Sequence, residues 1–175
     1  MIHDTTGLVH TLAATVAMIS GAIVLLRPKG GRIHRLIGYL YASSMILMLG
    51  TSFAMYRLTG SFNVLHGGAI FSTLTLFIGL NYAITRRPVG QWFIGHYHWM
   101  SWPYVGLIAA FFAELSTRLA MPYLAEKFPE MGVFWLMVGL VSAFIVWIGG
   151  RWIRRFAPAL ARSPSNQDSD LDSSR

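Results

Sequence analysis

Residues 7–41 read GLVHTLAATVAMISGAIVLLRPKGGRIHRLIGYLY. Residues 7–26 carry no Asp, Glu, Lys or Arg, and about 20 such residues are what an α-helix needs to cross a hydrocarbon core about 30 Å thick. Hydrocarbon offers the backbone no water, so a segment this apolar closes its hydrogen bonds internally as a helix. Arg27-Pro28 stops the run, PKGG supplies a short loop, and apolar residues resume after Arg35, which predicts a hairpin of two spans. The first span reads as a retained helix and not a cleaved leader, since no basic flank precedes it and no small-residue cleavage site follows. His10 lies about one turn into the first span and His34 opens the second. Imidazoles are costly in a bilayer and tend to be kept where they bind, relay or coordinate.

The rest of the chain repeats this pattern. Of its 175 residues 54% are hydrophobic and 12% charged, about half the charge content of a soluble domain. Spans are predicted near 6–26, 36–57, 62–85, 94–117 and 132–152. The expected fold is an all-α polytopic membrane protein, its first four spans forming a four-helix bundle with the fifth packed beside it. Residues 1–156 make up this membrane domain, and the Ser/Asp-rich residues 157–175 are expected to be a disordered tail. Pro103 predicts a kink within the fourth span, and LAMPYLAEKFPEM at 119–131 predicts a short interfacial helix between Pro122 and Pro129.

Charge gives the orientation. Arg27, Lys29, Arg32, Arg35, Arg86, Arg87, Arg151, Arg154, Arg155, Arg162 and Arg175 fall in alternate loops or after the last span, whereas Arg57, Arg118 and Lys127 fall on the other side. By the positive-inside rule the N-terminus is outside and the C-terminus cytoplasmic, in a bacterial inner membrane. The net charge of +7 therefore answers to topology and anionic lipid, not to nucleic acid, for which no soluble recognition fold remains. The absence of Cys excludes disulfides, iron–sulfur clusters and thiolate metal sites.

Alternating spans convert position into depth. His10 and His66 fall at one level, and His34 with His96 or His98 at the other. In an up-down bundle each level joins diagonal helices, the arrangement that a porphyrin with two axial imidazoles requires. Gly7, Gly38, Gly67 and Gly68 would leave room for such a ring, and Arg32 and Arg35, with Arg27 and Lys29, would meet propionates at the inner level. Arg57 or Arg118 would do so at the outer one.

His10, the RIHR segment ending in His34 and Arg35, His66, and GHYHW with His96 and His98 resemble, over residues 7–118, the ascorbate-linked di-haem b-type cytochromes. That resemblance implies two stacked haem b sites passing electrons across the bilayer. A quinone or redox partner is expected of a protein with that role. The chain departs from that family in lacking a full serine-tryptophan motif after His66, in offering two histidines at the fourth site and in having five spans. A closer resemblance, carried by the early histidine and GGRIHRLIGYLY from Gly30 to Tyr41, is to small bacterial membrane proteins known as domain of unknown function 2306. It implies the topology and no activity.

Other readings use the same residues. Glu114 is the acidic residue inside a span; it either pairs with Arg118 at i,i+4 or joins His10 and His66 in a zinc, copper or iron site. The second alternative would make the protein a metal-binding protein or hydrolase. A third class is a cofactor-free structural or binding module in which the histidines only pack. The nine methionines, Met45 and Met48 among them, read as packing, and Tyr39 and Tyr41 read as interfacial before they read as a quinone site.

Overall fold

A computed structural model describes residues 5–54, 64–124 and 130–161. They form α1 (Thr5–Leu26), α2 (Arg32–Phe53), α3 (Val64–Thr85), α4 (Trp92–Leu124) and α5 (Glu130–Ala161). All five are long and apolar enough to cross a membrane, and the described residues contain no strand. The 22 residues of α1 rise about 33 Å, close to one hydrocarbon thickness.

The element order agrees with the sequence; the ends differ. α2 begins at Arg32, so its first turn carries Arg32 and Arg35. α4 runs without interruption through Pro103 and on through Pro122 to Leu124, so no separate helix starts at Pro122; residues 125–129 lie outside the described residues. α5 continues to Ala161, past the expected boundary at 157, and residues 162–175 lie outside the described part. Arg57, Lys127 and His3 also lie outside it.

The chain divides into two compact units, Met1–Leu74 and Thr75–Arg175. In the first, α1 packs along α2. α1 buries Ala13, Ala17, Ser20 and Gly21, a stripe at helical spacing with little side chain, and α2 buries the larger Tyr41, Met45, Met48 and Leu49. Small residues let helix axes approach where there is no hydrophobic force between helix and lipid. Lys29 ends α1 by donating from Nζ to the carbonyls of Val24, Leu25 and Arg27, which satisfies last-turn acceptors that have no helical donor. Burial holds its ammonium pKa below the ordinary lysine range.

In the second unit α4 packs along α5. A methyl placed on Gly149 would lie 2.5 Å from Val105 Cγ2, and one on Gly150 would lie 3.4 Å from Trp102. The C-terminal half of α3 is set against α4 through two further glycines. A methyl on Gly79 would fall 2.9 Å from the backbone nitrogen of Met100, and one on Gly95 would fall 2.7 Å from the Tyr82 ring. Arg86 closes α3 in the left-handed conformation, φ 52°, with its N–H donating to Tyr82 O at 3.0 Å.

Hydroxyls inside the spans turn back on their own helices. Thr11 donates to Gly7 O, Thr15 to Thr11 O, Ser20 to Val16 O, Thr73 to Ala69 O and Ser101 to Tyr97 O. Each polar hydrogen is thereby satisfied without water.

Gly79→Ala is expected to destabilise the protein by about 1–3 kcal/mol, because the obstructing atom is backbone and cannot rotate away. Gly50→Ala, where nothing lies within 4 Å of the added methyl, should be neutral or gain up to about 1 kcal/mol of helix propensity. Unfolding in mild detergent followed by circular dichroism checks both, and equal behaviour of the two variants would contradict the close contact at Gly79.

Candidate cofactor-binding histidines

α1 and α2 run in contact, which brings His10 to the last turns of α2. His10 Nδ1 lies 3.1 Å from Met48 O and 3.0 Å from Thr51 Oγ1. A carbonyl can only accept, so Nδ1 carries the hydrogen. Thr51 can accept as well, because its own hydrogen is met by Leu47 O or Met48 O, both 2.9 Å away. The neutral ring then holds its lone pair on Nε2.

His66, in the first turn of α3, is 4% exposed. Its ring centroid lies 6.5 Å from that of Phe53, the last residue of α2. His10 and His66 therefore converge on the same end of α2, His10 through Thr51 and His66 beside Phe53. This is within one compact unit. Gly67 and Gly68 follow His66 on an open flank, where an added Cβ would meet nothing within 4 Å.

The residues of the other level are placed as follows. His34 is half-buried in the first turn of α2, with Arg32 and Arg35 exposed beside it. Gly38 looks toward Val24 of α1, whose Cγ2 would be 4.0 Å from an added Cβ, so it serves the α1–α2 contact and borders no open slot there. His96 Nδ1 lies 2.9 Å from Gly79 O, again an acceptor, so the lone pair is on Nε2. His98 is committed differently: Trp102 Nε1, a donor only, donates to its Nε2 at 3.2 Å. The lone pair of His98 is thus occupied by the residue one turn further along the same helix. His98 also meets the Trp99 ring edge-on at 5.5 Å between centroids.

Glu114 accepts from Arg118 Nε at 3.0 Å and from its Nη2, an i,i+4 ion pair with both side chains well exposed. Among the described residues no group of three or more His, Asp or Glu is close enough together to hold a metal ion. At Glu114 the i,i+4 ion pair is the arrangement found.

Sequence reasoning missed Thr51, Met48 O and Gly79 O. The carbonyls have no signature in the sequence, because any residue supplies one. The His98–Trp102 bond did have one in the i,i+4 spacing of GHYHWMSW.

Among curated proteins and among solved structures, nothing matches the chain. A family model described as "Predicted membrane protein (DUF2306)" matches residues 7–148, which takes in all but the first two residues of α1, the whole of α2 to α4, more than half of α5, and His10, His34, His66, His96 and His98. The chain belongs to that family of membrane proteins.

Proposed function

We propose that the protein is a small membrane redox protein for b-type haem, in which His10 and His66 would hold one such group. One observation carries this reading: two imidazoles from different helices reach the same end of α2, and the Nδ1 hydrogen of His10 is bound by Met48 O and Thr51. A ligand histidine needs this, since an acceptor on one ring nitrogen fixes the tautomer and raises the basicity of the other. Haem would supply one-electron chemistry there. The chain's own part is to bring the two imidazoles to one end of α2 and to leave the Gly67–Gly68 flank open beside them. At the other level His96 is the ligand and His98 is not, because the carbonyl of Gly79 takes the Nδ1 hydrogen of His96 and leaves its lone pair on Nε2, while Trp102 occupies that of His98.

The positive-inside rule supports a bacterial inner membrane location, with the N-terminus outside and the tail cytoplasmic. A quinone or a redox protein would be the electron partner. The resemblance to di-haem cytochromes lies in the same histidines.

Protein purified from haem-replete cells should show a b-type absorption spectrum that sharpens on reduction with dithionite. His66→Ala and His10→Ala should each lose the same fraction of the signal, and Thr51→Val should weaken retention about tenfold. A colourless preparation would refute the reading. At the second level His96→Ala should remove haem absorbance and His98→Ala should spare it. The opposite pattern would show the Trp102 bond to be no guide to the ligand.

A further inference from the structure

α3 ends in a groove that the histidines do not line. A shallow, open depression of about 630 Å³ is lined by Asn81, Tyr82, Thr85, Arg87, Pro88 and Val89. A second of about 400 Å³ adjoins it along Phe77, Ile78, Asn81 and Tyr82. Residues 78, 81, 82 and 85 recur at i, i+3, i+4 and i+7, so the two form one groove along one helical face.

Polarity changes along its length. At the end within the span it is apolar, with Phe77 56% and Ile78 38% exposed. At the loop end it carries donors. Thr85 Oγ1 donates to Asn81 O at 2.8 Å and to Asn81 Oδ1 at 3.4 Å, which leaves the Asn81 amide nitrogen with its hydrogens to donate. Arg86 is engaged elsewhere, its guanidinium 5.9 Å from the Trp92 ring centre, so the exposed Arg87 is the cation that faces the groove. Tyr82 forms a fixed wall, because its ring lies over Gly95.

An occupant must therefore have an acyl chain at one end and an anion at the other, held at the depth where a span meets its basic loop. We propose that this groove binds one anionic phospholipid, with the phosphate held by Arg87 and the Asn81 amide and an acyl chain laid along Phe77 and Ile78. Guanidinium and phosphate form the strong charge-assisted pair, and a basic pocket at a helix end is how membrane proteins select anionic headgroups. The assignment does not depend on whether haem binds.

The full chain in neutral detergent, given equal phosphatidylglycerol and phosphatidylcholine of the same acyl composition, should retain one phosphatidylglycerol by native mass spectrometry. Arg87→Gln should lower that preference about fivefold, whereas Arg151→Gln, whose guanidinium lies over Trp147, should leave it unchanged. Ile78→Trp should fill the apolar end and reduce retention of both lipids, with the circular dichroism spectrum intact. Millimolar inorganic phosphate should not displace the lipid. Equal retention of the two lipids, equal losses in the two arginine variants, displacement by phosphate alone, or retention of a quinone in place of phosphatidylglycerol would overturn the proposal.

Discussion

Hydrocarbon supplies no hydrogen bonds, so every polar hydrogen carried into the spans must find an acceptor within the protein, at a cost of several kcal/mol where it does not. Serine and threonine solve this locally, because their hydroxyls reach a carbonyl three or four residues back on the same helix. Imidazole has two ring nitrogens on opposite sides, and one of them must look outward from its own helix. His10 looks across to Met48 O of the neighbouring helix and His96 to Gly79 O. The same bonds that meet the desolvation cost join α1 to α2 and α3 to α4, and they decide which ring nitrogen keeps a lone pair.

Those bonds depend on how closely the helices approach. His96 reaches the carbonyl of Gly79 because Gly79 itself has no side chain to hold Met100 away. One residue thus provides both the contact and the acceptor. Gly95 does the same for the Tyr82 ring, which then stands as one wall of the groove at the end of α3. In the first unit Ala13 and Ala17 let Tyr41 and Met45 be buried almost completely, which sets α2 near enough for His10 to span the gap. Packing by small residues comes first, and the polar bonds follow from it.

Five helices could be read from the sequence because each rests on a property that composition carries directly: a charge-free run long enough to cross hydrocarbon, the first three followed by Arg-Pro, Gly-Ser and Arg-Arg-Pro and the last two ended by Glu114 and Arg151. Helix ends were less legible. α2 starts at Arg32 and α5 continues through Ala161, because helical hydrogen bonding does not stop where apolarity stops, and amphipathic turns at a membrane surface keep it. The histidines could be found by type and depth, whereas their partners could not, since Met48 and Gly79 act through carbonyls that every residue has. Glu114 was the clearest site residue to resolve, as the i,i+4 spacing to Arg118 already contained the ion pair.

The two histidines of GHYHW cannot serve the same purpose. Two residues apart on a helix they differ by about 200° in direction, so packing that turns one toward α3 turns the other away. His96 takes the bond to Gly79 O, and His98, left to its own helix, accepts the indole hydrogen of Trp102 one turn on. That bond also gives the indole nitrogen an acceptor within the aromatic end of α4, which a tryptophan at such depth needs. One imidazole therefore satisfies a tryptophan and the other is oriented by a backbone carbonyl, and of the pair only His96 has a lone pair whose direction is set by the meeting of two helices.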